Sequence, residues 1–417
     1  MTQMTQNPSE IPGHVPPELI IDFNHFTSPG MLPEPGACPY KTLQKLLDGP
    51  RVFYAPATGR MLSGNWVVTR NADMRKILGD TESFSSWAIA GFSHLLGETW
   101  DMIPLEVDPP HHMKYRALLN PLFSPPRIKE MSTKIRSLAV ELIVGIQNKG
   151  NCEFIEDFAR RFPVRIFMEL MGIPIEDYDT ILEWENMILH SPDMEVRIQG
   201  AHAIRDYLVR LLAERKGKPA VDVLGHIANG EVEGRPMTDT EQLSMSLFLF
   251  VAGLDTVASS LGYVFRYLAQ HPEAQDWLRA DKSRIPAAVE ELMRAYGVVV
   301  TSRKVVRDIE IGGVQMKKGD VVSIPLGLGN YDPEVFADAG EVHLDRSPNP
   351  HLSFTLGPHR CLGSHLARAE VAIAIEEWLE RMPGLRVKAG TQPVARGGAV
   401  FGVDEMYLDW TKNQPSN

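Results

Sequence analysis

Phe354 to Gly363 reads FTLGPHRCLG: one of only three cysteines in the chain, behind an aromatic residue, with glycines at 357 and 363 and a His359-Arg360 pair just before it. The glycines permit close backbone approach, and the following LGSHLARAEVAIAIEEWLE reads as a helix. Cys361 is thereby expected at a helix N-terminus, where unpaired N–H groups favour thiolate over thiol. Such a thiolate can be a nucleophile, a redox sensor or a metal ligand, and its position alone does not choose. Cys38 and Cys152 have no comparable surroundings and read as small buried hydrophobes. Two other places ask for a chemical reason. Asp255 and Thr256 stand in the middle of the apolar run TDTEQLSMSLFLFVAGLDTVASSLGYVFRYLAQHPE, and Glu291 and Arg294 of EELMR are spaced for an ion pair within one helical turn.

The elements that must hold these residues are mostly helical. Helical patterns run over 127–148, 197–216 and 238–270, and strand signals cluster at Arg51 to Arg70 and at Val305 to Pro325, where Ile309, Ile311, the Gly312-Gly313 pair, Val314 and Met316 predict a hairpin. Thr238 followed by Glu241 fits a capping box, and His271-Pro272 fits a stop. The roughly 30 residues between them would extend about 45 Å, long enough to span a bilayer. Asp255 in mid-run, Arg266 near the end and the lack of a basic flank favour a buried central helix instead.

No Gly/Ser/Pro tract or charge block divides the 417 residues after the Pro-rich start, so the expectation is a mobile N-terminal tail over 1–32 and one large domain over 33–417. A formal charge of −11, from 42 basic and 53 acidic residues, opposes general attraction to nucleic acid or anionic lipid. The N-terminus lacks the basic and apolar regions of a signal peptide, which points to the cytoplasm. Three widely spaced cysteines oppose a disulfide framework or clustered zinc site.

Phe354, Gly357, Cys361 and Gly363 match the F-x-x-G-x-x-x-C-x-G haem-binding loop of the cytochrome P450 family; EELMR matches its E-x-x-R motif, and Ala252 to Thr256, AGLDT, matches its oxygen-activating helix segment. The order and separation are those of the family. From about Pro33 to Trp410 the chain resembles the soluble bacterial members, and GLDT, GVQMKKGD and DMIP followed by DPP are similar to the camphor 5-monooxygenase group.

This resemblance implies a mainly α fold with small β-sheets, the P450 triangular prism, in a single large domain. It implies haem b (iron protoporphyrin IX) as cofactor, with Cys361 as the axial ligand of the iron and Phe354 and Gly363 shaping the ligand loop. The propionates would meet His112, Arg116, Arg303 and His359, with His111 an adjacent competitor for His112. Thr256 would order dioxygen and water, Asp255 would pass protons inward, and Gly253 would relax the helix. The expected function is monooxygenation of a small hydrophobic terpenoid such as 1,8-cineole or camphor, or a norisoprenoid, with O2 and electrons from a ferredoxin and its reductase. The chain is expected to be a monomer, without a nucleic-acid or membrane partner. Arg75, Lys76, Lys114, Arg116 and Arg360 are the expected docking cations. A peroxygenase or isomerase of the same fold needs no proton delivery, which Asp255 and Thr256 argue against; a haem-based sensor would need a signalling surface or partner domain.

The substrate pocket carried over from the resemblance is Trp87, Trp100, Met102, Val251, Leu254, Val298, Val299, Ala399 and Val400. At Trp100 the camphor enzyme has a tyrosine that holds the substrate ketone. Loss of that hydroxyl puts camphor itself in doubt and makes Trp100 the expected determinant of specificity.

Overall fold

A computed structural model describes residues 11–56 and 64–411 of the chain. The helices that bear on the site are, in chain order, α1 (His111–Leu119), α2 (Pro125–Gln147), α3 (Arg161–Met171), α4 (Tyr178–Leu189), α5 (Met194–Arg215), α6 (Asp239–Gln270), α7 (Ile285–Ala295) and α8 (Ser364–Arg381). The helical patterns expected at 127–148, 197–216 and 238–270 are α2, α5 and α6.

Helix α6 is the axis around which the others assemble. Both capping-box bonds are made at its start: the Glu241 amide donates to Thr238 Oγ1 at 3.2 Å, and the Thr238 amide donates to Glu241 Oε2 at 2.7 Å. The helix ends before Pro272, which cannot continue its hydrogen-bond ladder. Along its length Leu247, Phe250, Leu254, Leu261, Phe265 and Leu268 are buried. They pack against α3, α5 and α8, and α8 in turn packs on α2 and α7. The apolar run is therefore core rather than a lipid-facing span, and Asp255 faces other protein groups.

One sheet frames the site. Strands β1 (Val52–Ala55), β2 (Asn65–Val68), β3 (Phe84–Ser85), β4 (Val300–Val305) and β5 (Val321–Pro325) lie in the order β1-β2-β5-β4-β3, with β2 and β5 parallel and the other pairs antiparallel. The hairpin Ile309–Ile311 to Val314–Met316 forms as expected, and Gly312 and Gly313 take φ of +58° and +84°, the left-handed values that a two-residue turn requires. A continuous hydrophobic core runs from Val15 to Trp410.

The N-terminal expectation is corrected in part. Residues 11–32 are not a loose tail: the Ile21 amide donates to the Tyr54 carbonyl at 3.0 Å, and Val15, Phe23, His25 and Met31 are buried. Apolar side chains at these positions outweigh the proline-rich composition that suggested a tail. Residues 1–10 of that expectation lie outside the described residues.

Candidate functional site: a cavity between the central helix and the cysteine loop

Helix α6, α3, strand β4 and the loop ending at Gly363 enclose a cavity of about 300 Å3. Cys361 lines it, together with Phe354, Gly363, Thr256, His112, Arg116, Arg303 and His359. The three motifs read from the sequence thus have distinct places. The loop and the α6 segment meet at the cavity, while Glu291 and Arg294 stand behind the loop.

The loop is held by its own backbone and by its neighbours. The Cys361 amide donates to the Phe354 carbonyl at 3.0 Å, and the Arg360 amide to the Gly357 carbonyl at 3.1 Å. Gly357 has φ of +71°, and a Cβ there would stand 2.9 Å from the Leu78 carbonyl oxygen, so two separate constraints select glycine. Cys361 lies two residues before the N-cap of α8, as expected. It lines the cavity on one side and borders a second, outward hollow that contains Arg116, Arg360 and His365 on the other. Burial among protein atoms raises the thiol above its ordinary pKa, against the Gly363 amide and the nearby arginines Arg116, Arg368 and Arg360, which lower it.

Glu291 and Arg294 are fully buried and paired through two bonds of 2.8 Å. Arg294 also donates to the carbonyls of Asn330, Ala339 and Glu341, while Glu291 accepts from the His343 amide, Arg346 and Asn349. Burial alone would raise the Glu291 carboxyl, yet these hydrogen bonds, with Arg294 foremost, hold it below its ordinary value. The pair ties α7 to the chain that leads into the cysteine loop.

On α6, Thr256 lines the cavity and donates its hydroxyl hydrogen to the Ala252 carbonyl at 3.1 Å, which leaves an acceptor facing inward. Asp255 does not line the cavity. Its carboxylate lies on another side of α6, 3.6 Å from His190 Nε2 and 3.4 Å from the Ser259 hydroxyl. Burial raises its pKa, against the charges of His190 and Arg396. Gly253 has a packing role: α6 continues unbroken through it, and a Cβ there would stand 2.8 Å from the Phe167 ring. The expected relaxation of the helix is corrected to a close approach of α3.

A cluster of positive and neutral donors occupies one side of the cavity. His112 and His359 lie with ring centroids 4.2 Å apart, and Arg303 is buried, with its guanidinium donating to the Ser302 carbonyl and Thr301 Oγ1. Arg116 donates to the Arg360 carbonyl and to Asn120. Burial, with the charges of Arg116 and Arg303, lowers His112 to about 4 and His359 to about 3; burial lowers Arg303 to about 10. His112 Nδ1 and His359 Nε2 have no hydrogen-bond partner among the described residues. Of the adjacent histidines, His112 is buried and His111 is exposed.

The expected substrate wall is substantially revised. Val298 and Val299 line the cavity. Trp87 is half exposed with Lys304 Nζ 4.6 Å from its ring centroid; Met102 and Leu254 are buried in the core; Trp100, Val251, Ala399 and Val400 also lie outside the lining. The apolar wall comes instead from Leu105, Phe167, Phe248, Leu249 and Val257 with the two valines. Matching positions could not reveal which way α6 and the segment before α1 turn their side chains. Sequence reading also missed Glu370, which lines the cavity from α8 with Oε2 unpartnered and a carboxyl that burial holds well above its usual range. A lone acid within ARAEVAIAI was the available signal.

Comparison with known proteins places this site in a family. The cytochrome P450 family model matches residues 189–383. The chain is 41% identical over 402 residues to the probable cytochrome P450 127A1 of Sinorhizobium fredii, covering 96% of this chain and 97% of that protein. Among solved structures, cytochrome P450 CYP101C1 superposes with a TM-score of 0.86 at 33% identity, covering 96% of this chain and all of that one. CYP101J2 gives 0.86 at 32% identity, covering 97% of this chain and 100% of that one. The chain belongs to the cytochrome P450 family. It is a monooxygenase with haem b as cofactor, using dioxygen, an organic substrate and a redox partner, and the two CYP101 neighbours bear out the resemblance to the camphor group.

The residues present fit that cofactor. Buried Arg303 and two imidazoles with unpartnered nitrogens, beside Arg116, form a receptor for anionic groups such as two propionates. At Gly363 a Cβ would meet no atom within 4 Å, which leaves room for a flat group over the loop.

Proposed function

We propose that Cys361 ligates the haem iron and that the enzyme hydroxylates a compact hydrophobic molecule of terpenoid type with electrons from a ferredoxin. The observation that carries this is the cavity itself: one cysteine at the loop, an anion-receiving cluster on one side, and an apolar wall on the other. Bound haem supplies the activation of dioxygen and insertion of one oxygen into a C–H bond. The protein positions and protects that chemistry. His112, Arg116, Arg303 and His359 hold the propionates, and Phe354 covers the loop with Arg368 4.3 Å from its ring centroid.

Thr256 offers an acceptor oxygen to an O–H donor in the cavity, such as ordered water, because its own hydroxyl hydrogen is committed to Ala252. Asp255 holds the next proton inward of the surface. The wall of Leu105, Phe167, Phe248, Leu249, Val298 and Val299 selects by shape, and its side chains offer no hydrogen-bonding group to a ketone. Trp100 therefore gives up its expected part in substrate choice to these residues.

For electron delivery, the outward hollow brings Arg360 to the surface on the cysteine side. Lys114 is ion-paired with Glu233, Arg75 donates to Asn71 and the Pro350 carbonyl, and Lys76 donates to the Glu310 carbonyl. Arg116 is engaged at the cavity. Exposed Arg360 is the leading docking cation for an acidic ferredoxin. The remaining expectations, a cytoplasmic monomer with a single large haem domain, belong to the same proposal, with residues 11–32 packed onto that domain rather than preceding it as a tail.

Titrating the ferric enzyme with 1,8-cineole, camphor, a norisoprenoid ketone, a steroid and a long fatty acid tests the substrate class. The compact terpenoids should shift the haem absorption band as they displace water, whereas preference for the steroid or fatty acid would overturn it.

A further inference from the structure

Behind Asp255, on the side of α6 away from the cavity, five charged or titratable groups from four parts of the chain converge. His190 caps the C-terminus of α4 and is 23% exposed, so it reaches both solvent and the interior. Its Nε2 lies 3.2 Å from Glu185 Oε1 and 3.6 Å from Asp255 Oδ1, and its Nδ1 lies 3.3 Å from Arg396 Nη2. Glu185 also accepts from Arg160 at 2.7 Å; Arg160 reaches outward to Glu156 at 2.7 Å, and Arg396 to Asp404 at 2.8 Å.

The geometry fixes the tautomer. A guanidinium N–H can only donate, so Nδ1 accepts from Arg396 and the ring hydrogen stands on Nε2, facing two carboxylates. Glu185, His190 and Asp255 have ligand atoms close enough for a metal ion. Arg160 and Arg396 already bring two positive charges to the same cluster, which works against a cation there. Asp255, on α6 beside Thr256, keeps only 14% of its side chain exposed and is not among the residues that line the cavity.

We propose that His190 is the relay that brings solvent protons to Asp255, with Arg396 setting its resting tautomer and Glu185 holding its ring. In the transfer, the Nε2–H bond breaks and an O–H bond forms at Asp255 Oδ1. Nδ1 takes a proton from solvent as Arg396 Nη2 withdraws from it, with Arg396 Nε still on Asp404, so the ring ends neutral with its hydrogen on Nδ1. A ring flip or proton exchange with water restores the starting tautomer. This inference rests on the role assigned to Asp255.

His190→Gln is the suitable variant, because a carboxamide can accept from Arg396 and donate to Glu185 but cannot relay a proton. The holoenzyme would be assayed with a surrogate ferredoxin and reductase pair and the tightest-binding terpenoid. His190→Gln should lower kcat about tenfold with KM unchanged and raise the solvent deuterium isotope effect. Asp255→Asn should also be slow, and the double variant no slower than the slower single one. Normal turnover in His190→Gln beside a slow Asp255→Asn would overturn the relay and spare the Asp255 reading; so would multiplicative losses in the double variant. Normal turnover in Asp255→Asn would remove the Asp255 reading and the relay with it. A readout independent of turnover is 15N NMR of the diamagnetic reduced carbon monoxide form, where His190 should carry its hydrogen on Nε2. A hydrogen resident on Nδ1 would overturn the proposal even if the rates agreed.

Discussion

The Thr256 hydroxyl has a single hydrogen, and it is donated to the Ala252 carbonyl. What the residue contributes to the cavity is an acceptor oxygen at a fixed place, and alanine removes that while leaving the apolar wall intact. Thr256→Ala should therefore bind substrate with a near-normal spectral shift and consume reducing equivalents, but release most of them as hydrogen peroxide. Equal product per electron in the variant and the parent would show that this hydroxyl does not direct the protons. Trp100 illustrates the opposite outcome. It is half-buried and outside the cavity lining, so Trp100→Tyr should leave the order of preference among camphor, 1,8-cineole and norisoprenoids unchanged. Phe248→Ala, which opens the wall itself, should weaken binding of compact ligands by about 1–3 kcal/mol, read from spectral titration.

At the scale of elements, the loop that carries Cys361 is anchored from behind by α7 and α8. Glu290 on α7 accepts from Arg368 on α8 at 2.5 and 2.9 Å and lies 3.1 Å from His351. Burial opposes ionisation of Glu290, but His351 and Arg368 hold its carboxyl down at about 2. A carboxylate depressed in the folded state contributes stability above its unfolded pKa of about 4.3, and that contribution is lost as pH falls from there toward 2. Screening at this partly exposed pair reduces it to about 1–2 kcal/mol. Glu290→Gln should therefore destabilise the protein at pH 7 by that amount and flatten the acid limb between pH 4.3 and 2 in a denaturant series; an acid limb as steep as the parent's would contradict the assignment. Breaking the fully buried Glu291–Arg294 pair by Arg294→Leu should cost about 3–5 kcal/mol and lower haem retention. These elements were largely legible in the sequence. The capping box at Thr238, the proline stop and the two-glycine hairpin are local instructions, and each formed where it was read. The cysteine loop was legible through its match at Phe354, Gly357, Cys361 and Gly363 to the family's haem-binding loop, since position alone left the role of Cys361 open. The substrate wall and the cluster behind Asp255 were not, because Phe167, His190 and Arg396 reach their partners only through the packing of α3, α4 and the C-terminal sheet on α6.

Over the whole molecule, the formal charge of −11 would repel an acidic ferredoxin, so the proposed docking requires a local cationic face. Arg360, exposed beside the outward hollow, should dominate it. Arg360→Ala should slow ferredoxin-dependent reduction at low ionic strength and make it less sensitive to added salt; identical rates and salt slopes would place docking elsewhere. Helices α6 and α8 pack on each other, and Cys361, just before α8, lines the same cavity as Thr256 of α6. The most direct test is the absorption band of the reduced carbon monoxide complex in Cys361→Ser and Cys361→His, with Cys152→Ala as the comparison. The parent and Cys152→Ala should show the red-shifted band of a thiolate-ligated haem, and both Cys361 variants should lose it while Cys361→His still binds the cofactor. Retention of that band in either Cys361 variant would assign the ligand to another residue and contradict the account at its centre.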